Sequence, residues 1–147
     1  MKTDSSKIPF GKTFLTALFS GIIATGACFI FEIWYRMVTF YGPSDFINVA
    51  SIIFIVNLLL LLSGIAYFAF KSWFRKGDLM YAIFSMLITA FCIWEITKIH
   101  QFADLKVNRQ FIQLLSGITI IIGVAALCVP YFYNNRKINN FFYEADV

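Results

Sequence analysis

The sequence predicts an all-α, polytopic membrane protein: four transmembrane helices in an antiparallel bundle, with both termini on the cytoplasmic side. Three observations carry this reading. First, the chain is 60% hydrophobic and only 14% charged, whereas a soluble domain carries about 25% charge. Second, four apolar runs, at about 14–37, 47–70, 79–97 and 111–133, each match the roughly 17–25 residues a helix needs to cross a bilayer. They are apolar all round, without the alternation of a membrane β-strand. Third, the basic residues are lopsided. With the N-terminus inside, Lys2, Lys7, Lys12, Lys71, Arg75, Lys76, Arg136 and Lys137 lie on the inner side. Only Arg36, Lys98, Lys106 and Arg109 lie outside. The positive-inside rule selects that orientation. The 147 residues form one domain, with 134–147 as a cytoplasmic tail.

Residues 1–12 read as a basic arm, and Pro9 and Gly11 mark the start of the first helix. Its apolar run continues to Met37, well past a 7–15-residue signal core, and Thr25 occupies the position three before Cys28 where a lipoprotein site has an aliphatic residue. The segment is therefore expected to be retained. Ser20, Ala24, Cys28, Glu32 and Arg36 recur every four residues and share a face, with Thr13, Ala17, Gly21 and Thr25 beside them. Small residues let helix backbones approach closely in lipid.

The "YGPSD" turn at 41–45 leads into the second helix, with Ser44 or Asp45 as the expected cap. That helix places Ala50, Asn57 and Gly64 at seven-residue spacing. Asn57 is the deepest amide and is expected to hydrogen-bond another helix. The "RKGD" turn follows, with Asp78 as the expected cap of the third helix. Ser85, Thr89, Cys92 and Glu95 form that helix's stripe. "CFIFEI" and "FCIWEI" place a Glu near the same end of helices one and three, which fits either a duplicated hairpin or coincidence in a biased composition.

Residues 98–110 read as the longest loop, able to form a short interfacial helix. The fourth helix offers Ser116, Thr119, Gly123, Ala126 and Pro130. Trp34, Trp73 and Trp94, with Tyr35, Tyr41, Tyr81, Tyr131 and Tyr133, fall near predicted membrane edges, where amphipathic rings are favoured.

Glu32 and Glu95 are the residues most able to carry chemistry, because an acid inside a span is costly. Glu32 stands about 7 Å inside the helix end, at about 1.5 Å per residue. Each acid has two readings: an ion, proton or cationic-substrate site, or an ion pair, Glu32 with Arg36 and Glu95 with Lys98. His100, the one histidine, falls in the outer loop. The odd number of cysteines, Cys28, Cys92 and Cys128, reads as small hydrophobes within helices.

Much chemistry is excluded. One histidine cannot supply two axial ligands to a haem. No C-x-x-C motif, zinc-ligand spacing or phosphate-binding glycine loop occurs. No arginine ladder or potassium-channel filter sequence is present. No nucleophile–base pair stands out, so no enzyme activity, cofactor or metal is expected. Topology and anionic lipid account for the basic residues without nucleic acid. The expected function is that of a non-enzymatic subunit acting through helix–helix assembly, with itself or within a larger membrane complex. The alternative is a small oligomeric ion or proton channel or transporter using Glu32 and Glu95. The expected location is the cell membrane, a bacterial inner membrane.

Overall fold

Each apolar run becomes one long helix in the computed structural model: α1 Phe10–Thr39, α2 Val49–Trp73, α3 Gly77–Ile96 and α4 Leu105–Asn134. The structure describes residues 10–40, 42, 47–99 and 104–134. All four helices are long and apolar enough to cross a membrane. Residues 1–9 of the basic arm, most of the "YGPSD" turn, His100 and the tail beyond Asn134 lie outside the described residues, and the last three residues of the arm, Phe10, Gly11 and Lys12, already belong to α1.

The helix starts differ from expectation. Ser44 and Asp45 lie outside the described residues, and the α2 cap is Asn48, whose side chain accepts the Ser51 N–H at 2.8 Å. Asp78 does not cap α3. It sits in the first turn while Lys76 holds the cap position without a side-chain bond. The largest correction concerns 98–110. Asp104 Oδ1 accepts the Lys106 N–H at 2.8 Å, so the α4 helix begins at Leu105 rather than near Phe111. The polar turn it adds is tied down: Asn108 is buried and donates to Ile99 O at 3.1 Å, and Gln110 donates to Thr39 O at 3.1 Å. Polar residues that find such partners join the helix instead of forming a separate one.

The helices form a ring of contacts, α1 to α2, α2 to α3, α3 to α4 and α4 back to α1. α2 and α4 also meet, and α1 and α3 do not. Close approach rests on small residues. A Cβ on Gly64 of α2 would lie 2.5 Å from the Ala17 Cβ of α1. A Cβ on Gly123 of α4 would lie 2.6 Å from the Thr89 side chain of α3. The α1 stripe of Ala17, Ser20, Gly21, Ala24 and Cys28 is buried. The α3 stripe is different, with Cys92 and Glu95 exposed. The two echo segments therefore occupy unlike environments. Ala50 at the start of α2 is exposed as well.

Of the aromatic residues expected at the membrane edge, Tyr131 is exposed, as are Trp34, Trp73 and Trp94. Tyr35, Tyr81 and Tyr133, expected at the membrane edge, turn inward instead and are at most 9% exposed. A phenol ring can do this because its one hydroxyl is readily satisfied by a neighbouring helix.

Candidate functional site

Polar groups gather at the two ends of the bundle. At the first end, α1 finishes with Glu32, Tyr35, Arg36 and Thr39. Helical spacing puts Glu32 and Arg36 one turn apart, and the Arg36 Nη2 lies 2.8 Å from Glu32 Oε1. Nε also donates to that oxygen, at 3.0 Å. The remaining guanidinium donors reach the chain linking α1 to α2: Nη1 to Gly42 O at 2.7 Å and Nη2 to Ile47 O at 3.0 Å. Glu32 is buried. It thus holds an arginine that in turn organises the connection. Tyr35 Oη donates to Gln113 Oε1 at 2.9 Å, with Gln110 O 3.2 Å away, which fastens α1 to α4.

Glu95 lies elsewhere. Its carboxylate is 2.8 Å from Lys98 Nζ, both side chains are about half exposed, and the ammonium stands 3.4 Å from the centre of the Trp94 ring. Because α1 and α3 share no contact, Glu32 and Glu95 do not converge on one site.

Asn57 lies between these ends, facing α1. Its Nδ2 donates to Thr25 Oγ1 at 3.0 Å and to Ile53 O at 2.8 Å. A Cβ on Gly21 would sit 2.7 Å from the Asn57 Oδ1, so glycine makes room for the amide.

The second end holds the denser network, built from residues that sequence reasoning did not join. Tyr67 of α2 is fully buried and donates to Asp78 Oδ1 of α3 at 2.8 Å. Lys71, one turn after Tyr67, donates to the Tyr67 hydroxyl at 2.8 Å and lies 3.1 Å from Asp78 Oδ1. Asn134 of α4 donates to Asp78 Oδ2 at 3.2 Å and accepts from Lys71 at 3.3 Å. The Tyr67 ring packs edge-on against Tyr81 and Tyr133, at 5.2 and 5.5 Å between centres. The Lys12 ammonium of α1 stands 4.2 Å from the centre of the Tyr133 ring. All four helices contribute.

Comparison with known protein families, characterised proteins and solved structures finds no match to this chain. What the site does must be read from its own groups.

Pro130 explains part of the network. Proline has no N–H to give the carbonyl four residues back, which here is Ala126. Tyr81 Oη donates to that carbonyl at 3.0 Å. The Tyr81 proton is thereby committed, which leaves Ser63 of α2 to donate to the same hydroxyl. Ser20 of α1 donates to the adjacent Ala125 O at 2.9 Å. A proline in α4 thus leaves one acceptor, Ala126 O, that Tyr81 of α3 fills, as the absence of water in a bilayer demands, and the Ser20 bond ties α1 to the neighbouring carbonyl. The sequence contained two signals: a proline inside an apolar run, and Tyr67 spaced four before Lys71. Among the described residues no group of three metal-binding side chains occurs.

Proposed function

We propose that this chain is a non-enzymatic membrane subunit that acts by assembly, with copies of itself or with other membrane proteins. It crosses the bilayer four times as an antiparallel bundle with both termini in the cytoplasm of a bacterial cell, embedded in the inner membrane. The eight-to-four excess of basic residues favours that orientation. The meeting of Lys12, Lys71, Asp78 and Tyr133 at one end of the bundle favours helices of alternating direction.

One observation carries the choice of assembly over transport. The two membrane-embedded acids do not face each other, and each is paired with a base on its own helix or just beyond it. A conducting path built on them would need both to reach a shared polar route. α3 instead leaves Met86, Phe91, Cys92 and Trp94 exposed on a helix packed only against α2 and α4. That surface is open to another transmembrane helix.

The test uses the reconstituted full chain. Proton and cation flux is measured for the natural protein, Glu32→Gln and Glu95→Gln, and is expected at the liposome background in all three. In parallel, oxidative cross-linking in membranes is expected to trap Cys92 with a neighbour. Cys92→Ser abolishes the product and Cys28→Ser, at a buried site, does not. Flux that disappears with either acid overturns the proposal in favour of a channel or transporter.

A further inference from the structure

We propose that the Lys71 end of the bundle binds the phosphate of an anionic phospholipid headgroup through Lys12, beside the Tyr133 ring, with Lys71 adding only its field. The site goes beyond assembly and does not depend on it. Lys12 of α1 and Lys71 of α2 converge on one ring of α4, at 4.2 and 4.5 Å from its centre. The two ammonium groups are therefore within about 9 Å of each other. Like charges so close call for a counter-anion. Asp78 supplies one charge, to Lys71. The three donors of Lys71 are taken up by Asp78, Tyr67 and Asn134. Lys12 meets no carboxylate within ion-pair distance among the described residues. Arg75 and Lys76, exposed on the adjoining turn, add to the positive field.

Depth and shape select a lipid as the source of that phosphate. Lys12 lies in the first turn of α1 and Lys71 in the last turn of α2, where apolar spans give way to headgroups. The next residues of α1, Phe14 and Leu15, are exposed and can lie along acyl chains. The Tyr133 ring is buried and braced by Tyr67, so the platform is in place before the ligand arrives.

The full chain is placed in nanodiscs of phosphatidylcholine with a minor fraction of phosphatidylglycerol, and retained lipid is counted by native mass spectrometry. Phosphatidylglycerol is expected to be enriched over its bulk fraction. Lys12→Gln is expected to lower that enrichment about five-fold, the effect of one basic residue at a membrane surface. Lys12→Arg is expected to keep it, and Lys76→Gln to change it less than Lys12→Gln. No enrichment, or equal loss with Lys76→Gln and Lys12→Gln, overturns the site. A further arm uses pure phosphatidylcholine discs with excess inorganic phosphate and follows amine-reactive labelling of Lys12. Protection by phosphate alone assigns a soluble anion and overturns the lipid assignment; no protection supports the lipid.

Discussion

A carboxylate inside a transmembrane helix must be held by something, and the two acids of this chain are held with unequal strength. Glu32 has a side chain only 9% exposed and carries two short contacts to Arg36, whose other donors grip the α1–α2 connection. Glu95 and Lys98 are about half exposed, and a solvated pair is worth less than about 1 kcal/mol. Glu32→Gln keeps the shape and removes the charge, which weakens the pairing and loosens the connection that Arg36 orders. We expect it to destabilise the protein by about 2 kcal/mol, the range for hydrogen bonds to charged groups. Glu95→Gln should cost less than about 0.5 kcal/mol. Unfolding by dodecyl sulfate in mixed micelles, followed by circular dichroism, reads both. Equal midpoints for the two variants would remove the distinction between them.

At the scale of the helix, α4 is shaped by Pro130 and mended by its neighbours. Tyr81→Phe leaves the Ala126 carbonyl without its donor, an orphaned buried acceptor that costs about 1–3 kcal/mol. Pro130→Ala restores an N–H able to fill it. The loss from Tyr81→Phe should therefore shrink by at least about 1 kcal/mol in the Pro130→Ala background, a coupling that a double-mutant cycle measures. Additive effects would mean that Tyr81 serves only to pack. The same helix shows what sequence reading could and could not reach. Apolar length alone delimits four membrane-sized helices, because hydrophobicity is a sum over neighbours along the chain. The polar start of α4 escaped it, since Asn108 and Gln110 are helical by virtue of partners at Ile99 and Thr39, one of them about seventy positions away. Glu32 and Arg36 were visible as a pair because one helical turn separates them. Tyr67, Asp78 and Asn134 were not, since three helices must fold before they meet. Its position at the start of an apolar run places Tyr81 near the membrane edge, and the structure buries it against a carbonyl that a proline leaves without a donor.

For the molecule as a whole, α3 is the least enclosed element, touching α2 and α4 but not α1. Two fastenings hold its first turns, the Tyr81 hydroxyl and the Asp78 carboxylate. Asp78→Asn removes the charge that gathers Lys71, Tyr67 and Asn134. Its amides over Gly77–Tyr81 should exchange with deuterium about five-fold faster, as expected for a loss of about 1 kcal/mol. Those of the Arg36 end should be unchanged. Uniform acceleration along the chain would show that Asp78 supports global stability rather than this one helix. The outward placement of Trp34, Trp73 and Trp94, against an interior furnished with tyrosine, has an optical consequence. Indole emission from this protein samples the surrounding solvent, so brominated acyl chains should quench it according to immersion depth. Rearrangements of the interior will leave that light nearly unchanged and must be followed through phenol absorbance instead.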